Sequence, residues 1–575
     1  MKNKSKKVLL SLIAGLMIAA PPLKAADVPS RETAGAESSR FQEAPEFEDK
    51  ARTLKARAPE EEEIVESPAG TSEGTKPALT FELKEIRVTG AQSIPASELE
   101  ILGKGLLSKK VSWDDLQGLA ARMKKYYREK GFVAVYVYIP KQEVEAGRVE
   151  FRVVEGEIGR IVILGNRWFS ERVIRRALHF SSGKGVRYDW IKKSLNRLNK
   201  NSDIKAKAVL KPGKEFKTTD LEIHVKDRFP AHLNTDVNNL GTRDTGRTRW
   251  GIGAVHHNLS GQMDVLSGRF QIGRGAWAVG SDYNIPVSPW DTRLGFSYSH
   301  TRVKVGGQFK DLDVKGRAST YNPYLLQPLF DTGFLEGEFN LGMDFKSIEN
   351  SVQGRKTGKD ELRILNAGLA FEETDVYGKT FLPVSFHFGF ADFLGSSAKA
   401  EPAASRAGTG GQFFVYRSSF IRYQRLPWGL GFALRGSWQL TPDPLPASEQ
   451  FRLGGAFSVR GYPEGDSLTD YGGFLSSEVY IPSYFFPADW KLPHSSLPLR
   501  KQIQGVAFFD FGAGALHDPA ADDVEDRFLA GAGGGVRIQL FDKVYARFQW
   551  AGRTGGKSSD GSNGAFYYGI SAELF

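Results

Sequence analysis

Hydrophobic positions along the chain keep two different rhythms, and the change falls near residue 229. Before it, short alternating runs are interleaved with helical spacings. Residues 81–88 (FELKEIRV) alternate apolar and polar side chains, the period of a half-buried strand. Leu116, Leu119, Met123 and Tyr126 then recur on one helix face, and residues 132–139 and 149–154 read as two further strands. The order then repeats. Residues 161–164 give a strand, 173–178 and 190–198 two helices, and 209–210 and 221–225 two strands. Ile191, Leu195 and Leu198 share one face of the second of these helices. The spacing predicts tandem β-α-α-β-β units over 80–156 and 157–228.

From residue 229 to 575 the helical spacing stops, and strand-like runs follow one another between Gly, Asp, Asn and Pro turns. Val384, Phe386, Phe388 and Phe390 interleave with Ser385, His387, Gly389 and Ala391. Val544, Ala546, Phe548 and Trp550 interleave with Tyr545, Arg547 and Gln549. Such alternation fits a soluble sandwich, whose apolar faces pack on each other. It equally fits a membrane barrel, whose apolar face meets lipid around a polar lumen.

The N-terminus bears on this choice. Lys2 to Lys7 precede an apolar stretch at 8–20 and small residues at Ala25 and Ala26, the pattern of a signal peptide over 1–25. Residues 26–79 read as a polar N-terminal segment and linker. With 12% aromatics and 63 glycines but a mean hydropathy of −0.34, the chain has no further apolar run long enough for a membrane helix. An exported, aromatic-rich, unbroken succession of strands favours the barrel, with room for roughly 14–18 strands.

Charge and residue chemistry remove other classes. The formal charge of +10 includes five leader lysines, and the rest is too evenly spread for a nucleic-acid partner. There is no Cys, so disulfides and thiolate metal sites are excluded. None of the nine His shows metal-ligand spacing, His256-His257 included, and no cofactor is expected. Residues 551–558 (AGRTGGKS) loosely match a phosphate loop, but turn residues follow where the chemistry needs a helix. The glycines of 531–535 read as small residues where backbones approach closely. No Gly-x-Ser-x-Gly elbow occurs, and the chain is not expected to be an enzyme.

Residues 451–463 (FRLGGAFSVRGYP) resemble the VRGY/F motif of outer-membrane transporters that carry POTRA domains, and the tandem units resemble those domains. Gly131-Phe132, Pro140, Gln142, Gly147, Glu155 and Gly156 are similar to the POTRA signature of two-partner secretion transporters, the TpsB-type haemolysin secretion/activation family. Asn239-Leu240-Gly241, Gly246, Arg249 and Asn258-Leu259 resemble the start of the barrel in that group. The resemblance runs from about residue 80 to the end. It implies a mostly β protein with an α+β N-terminal arm: two periplasmic POTRA domains, then a transmembrane β-barrel of sixteen strands over 229–575. It implies an outer-membrane pore that exports one large, unfolded secreted partner, is inserted by the barrel-assembly machinery and sits in outer-membrane lipid. It also implies a plug helix in the pore, which residues 31–57 would have to supply.

Val459, Arg460, Gly461 and Tyr462 are then expected at the tip of a loop folded into the lumen. An arginine in restricted solvent needs a partner. Phe509 and Phe511 share one strand face and Asp510 the other, so Asp510 points inward if the aromatics meet lipid; the family pattern likewise pairs the motif arginine with a strand aspartate. An Arg460–Asp510 latch is expected, with exchange of the two charges restoring what each single change loses. The sheet edges of the POTRA units are expected to take up the client by strand addition. Phe575 matches the C-terminal insertion signal of such barrels, although the apolar set Phe566, Tyr568, Ile570, Ala572 and Leu574 is one step out of phase with it. The competing functions are a barrel-assembly or insertase factor of the same superfamily, a passive porin or adhesin, and a soluble secreted β-protein.

Overall fold

The computed structural model describes residues 34, 38, 41, 65, 66 and 80–574, apart from 179, 184, 216, 494, 496, 520–525 and 542. The expected signal peptide and Phe575 lie outside the described residues. Two compact units result, one formed by 59–230 with 260–263 and the other by the rest.

The smaller unit holds both predicted repeats. In the first, Arg148–Glu155 is the middle strand, parallel to Glu85–Thr89 and antiparallel to Val135–Tyr138. The helix Trp113–Glu129 begins in a capping box between Ser112 and Asp115, which satisfies two of its free N–H groups. Its buried face is Leu116, Leu119, Met123 and Tyr127. This corrects the expected Tyr126: the helical period carries the stripe from 123 to 127, and Tyr126 donates to Glu98 at 2.7 Å instead. The run 81–88 is also not one strand. Phe81–Glu82 pairs with Lys110–Val111, and the chain then crosses to Glu85–Thr89 in a separate sheet.

The second repeat has the same plan. Glu157–Leu164 lies parallel to Thr218–Asp227, which is antiparallel to Ile204–Pro212. Gly90 and Gly165 occupy equivalent places, at φ 81° and 85°, where a Cβ would meet the carbonyl oxygens of Val153 and Val225. Both repeats therefore need glycine at the same turn. The outer edge of Ile204–Pro212 is occupied: Val65 and Glu66 pair with Val209 and Leu210 as a parallel strand.

In the larger unit sixteen antiparallel strands close into a barrel. The seam is short, five residue pairs from Asn234↔Glu573 to Asn238↔Gly569. Trp250, Phe270, Ile272, Phe386, Phe388, Phe509, Trp550 and Phe566 are exposed on the outside of the wall. Asp344, Ser476, Glu478, Asp510 and Gln549 are buried on the inside. No second sheet covers the apolar face among the described residues, which rules out the sandwich. At the end where the chain joins the barrel, the turns carry exposed Trp290, Phe334, Tyr377, Trp428 and Phe485, an aromatic collar of the kind that sits at a membrane interface. The apolar phase of the last strand, Gly564–Glu573, is as read: Phe566 and Ile570 face out and Tyr567 in.

Candidate functional site

The long connection 441–470 starts at the far end of the barrel and carries the Val-Arg-Gly-Tyr motif inside. Phe451–Leu453 and Ser467–Thr469 pair as a two-stranded stem. Gly454, Gly455 and Gly461 have φ of 97°, 104° and 101°, which lets the chain between them double back.

Arg460 is the hub of the tip. It is 1% exposed and Asp510 0%. Its backbone N–H and Nε donate to Asp510 Oδ2 at 3.0 and 2.7 Å, and Nη2 donates to Oδ1 at 2.8 Å. Nη2 also donates to Ser476 Oγ at 3.1 Å, and Nη1 lies 2.6 Å from Glu478 Oε1. The guanidinium stands 3.4 Å from the centre of the Phe508 ring. Glu478 is in turn held by Arg537 at 2.9 Å. The buried cation thus has two carboxylates and an aromatic face, which is what a charge removed from water requires.

The neighbouring motif residues fix the tip further. Gly461 N–H donates to the Tyr567 hydroxyl at 3.0 Å, and that hydroxyl donates to the Tyr462 carbonyl at 2.9 Å. The Tyr462 hydroxyl lies between Ala530 and Gly555, in hydrogen-bond contact with both. Val459 packs with Leu453, Tyr462 and Leu529.

Glu478, Ser476 and Tyr567 escaped the sequence reading. Register explains their convergence: Ser476, Asp510 and Gly531 form one cross-strand row, and Glu478, Phe508 and Gly533 the next. Strand alternation marks each as inward, but only the register shows that they meet. The glycine run is put to use here. A Cβ on Gly531 would collide with the Arg460 carbonyl, and one on Gly533 would lie 2.7 Å from the Phe508 ring. The glycines are a floor cut away to admit the loop.

The base of the loop has a second ionic anchor that nothing in the sequence pattern pointed to. Glu449 lies 2.8 Å from Lys346 and 3.1 Å from Arg417. Arg417 also donates to Gln439, whose amide donates to the carbonyls of Glu449 and Asp470. Asp470 takes Arg406 at 2.7 and 2.8 Å and accepts the N–H of Leu445 and His517.

Ala34, Ser38 and Phe41 are helical and buried, spaced to share one face. Ala34 packs with Ala318 and Ile348, and its N–H donates to Asn350. Phe41 borders a small cavity with Gln271, Ala278 and Thr301. Ala34 and Phe41 of the 31–57 segment thus lie against the inner wall.

The expected POTRA signature residues turn out to shape the first repeat. Gln142 pairs like a strand residue with both backbone groups of Glu150, and a weaker bond reaches the Pro140 carbonyl. Gly147, at φ 74°, passes so close to Glu82 that no side chain fits. Gly156 N–H donates to Ala134 at 2.7 Å. Glu155 ties three elements together: it accepts from the backbone of Gln92 and Ser93, the Ser93 hydroxyl and the Tyr127 hydroxyl. Burial pushes the Glu155 carboxyl up, but these hydrogen bonds outweigh it and hold the group below its ordinary value. Burial, and then the facing carboxylate, raise Tyr127.

A model of the haemolysin secretion/activation proteins ShlB/FhaC/HecB matches residues 217–538, and one of ShlB-type POTRA domains matches 81–156. The chain belongs to the haemolysin secretion/activation family. It is similar to the heme/hemopexin transporter protein HuxB of Haemophilus influenzae, 25% identical over 77% of each chain. It is also similar to the outer membrane transporter CdiB of Dickeya dadantii, 20% identical over 80% of each. The fold matches solved CdiB from Escherichia coli with a TM-score of 0.73, at 18% identity, over 95% of this chain and 100% of that one. BamA from Haemophilus ducreyi shares it at a TM-score of 0.54 and 14% identity, over 86% of this chain and 100% of that one. As a two-partner secretion transporter, the protein resides in the bacterial outer membrane with its POTRA domains in the periplasm. It takes up a large partner protein there and exports it through the barrel.

Proposed function

We propose that the 441–470 loop is the resting closure of the export pore and that the Arg460 cluster is its latch. The observation that carries this is the threefold hydrogen bonding of buried Arg460 to Asp510. Exchanging the charges at 460 and 510 is not a clean test, because a carboxylate at 460 would face Glu478. A double-mutant cycle with Arg460→Met and Asp510→Leu is. Each single change should raise open probability in planar bilayers and lower export of the client. The double should be no worse than the worse single. Strictly additive losses would sink direct coupling.

Client capture follows from the sheet edges. Val135–Tyr138 is an edge strand with exposed Tyr136 and Tyr138. A client strand added to Ile204–Pro212 would have to displace Val65 and Glu66. The buried charges described above serve to hold a loop, and the protein works as a conduit rather than an enzyme. Its exposed apolar wall sits in outer-membrane lipid, and the assembly machinery inserts it through the C-terminal strand.

A further inference from the structure

On the outside of the wall, near the extracellular ends of the strands, cations gather. Cross-strand partners point to the same side of a sheet. Trp277 faces Arg302, Arg302 faces Arg317, and Arg317 faces Glu349. One step further out, Lys304 faces Lys315, Lys315 faces Ser351, and Ser351 faces Lys356. The five cations are exposed. With exposed Arg274, most of them border a groove of about 640 Å³. Directly below lie the outward apolar side chains Phe270, Ile272, Phe296 and Tyr321.

Two carboxylates serve this patch. Glu349 is 3.0 Å from both Arg317 and Lys356, and Asp313 is 2.5 Å from Lys315 and 3.9 Å from Lys304. Among the described residues no ion pair holds Arg274 or Arg302. Like charges directly opposite in a ladder destabilise it, and here two such pairs, Arg302/Arg317 and Lys304/Lys315, lie side by side. A multivalent anion would relieve both. Guanidinium groups match phosphate oxygens two at a time.

We infer that this patch binds the phosphate groups of a phosphorylated glycolipid in the outer leaflet of the outer membrane. Its acyl chains would lie along Phe270, Ile272 and Tyr321, with Trp277 at the interface. The side of the wall selects lipid over the exported polypeptide, whose path is the lumen. The lipid-facing run beneath the cations selects a head group carrying chains over a soluble anion.

The test uses the full-length protein in detergent, titrated with bisphosphorylated lipid A, dephosphorylated lipid A and inorganic pyrophosphate. The readouts are bound lipid and the temperature at which the compact barrel is lost on electrophoresis. Bisphosphorylated lipid A should bind and raise that temperature, and the dephosphorylated form should bind at least tenfold more weakly. R302A/K315A/R317A should lose affinity on the order of a hundredfold. Running compact without lipid shows that the variant has folded; if it has not, Arg302→Gln alone should lose about fivefold. Unchanged binding by these variants would overturn the site. Pyrophosphate competing at equal concentration would overturn the lipid and leave a soluble anion.

Discussion

The carbonyl oxygen of Arg460 occupies the space that a side chain on Gly531 would need. Loop and wall are therefore matched in shape at this pair, as they are in charge at Arg460 and Asp510.

Gly531→Ala should unseat the loop without touching any charge. Limited proteolysis of the 441–470 segment should accelerate, as it also should in Arg460→Met. Gly268, on the outer face with no close neighbour, is the control, and Gly268→Ala should leave the digestion rate unchanged. Equal rates in wild type and Gly531→Ala would show that the close approach is not part of the closure.

Removing Asp510 alone leaves a buried guanidinium with Glu478 as its remaining carboxylate. Breaking a buried pair from one side costs about 3–5 kcal/mol, and Glu478 should keep the cost of Asp510→Ala near the lower figure. Glu478→Gln should cost less, because the threefold contact with Asp510 persists. The docked fraction of the loop, read by a spectroscopic label on it, measures both. The reverse order would make Glu478 the principal partner.

Glu449 predicts a second phenotype. Glu449→Gln leaves Arg417 without its carboxylate and Lys346 with only the more distant Asp344, at 3.6 Å. The double change Lys346→Met with Glu449→Gln should recover part of the loss, because one of the two cations is gone. Bilayer recordings should show more frequent opening in the single variant than in the double.

The POTRA arm should carry an acid-sensitive element. With its carboxyl held below the ordinary value, Glu155 contributes stability that is complete above the unfolded carboxyl range, about pH 4.3. That contribution fades as pH falls through the lower, folded value. Amide exchange at Gln92 and Ser93, whose N–H groups Glu155 accepts, should be faster in Glu155→Gln than in wild type at neutral pH. The gap should narrow below about pH 4.3. A gap independent of pH would show that the carboxylate charge is not what holds the turn.

Much of this architecture was legible because the hydrophobic period changes from mixed to strictly alternating where the arm becomes the barrel. Asp510 was legible for the same reason, since the parity of Phe509 and Phe511 sets its side. Glu478 and Tyr567 obey the same parity, yet nothing local distinguishes them from other inward polar residues. Their meeting with Arg460 depends on how neighbouring strands are staggered, which pattern along one strand does not carry. The glycines at 531–535 were recognised as close approaches, but what approaches them is a loop some seventy residues away. Tyr126 was preferred to Tyr127 because adjacent aromatics blur the helical stripe by one position.

The helical residues Ala34 and Phe41 lean on the wall between Gln271 and Ile348, whereas the loop is tied to Lys346, Arg417, Asp510 and Tyr567. The loop and these helical residues are thus hung mostly on different stretches of the wall, like two leaves on separate jambs. Release of the loop at its latch would therefore leave the contacts of Ala34 and Phe41 in place, so the proposed closure can give way on one side of the barrel without disturbing what lines the other.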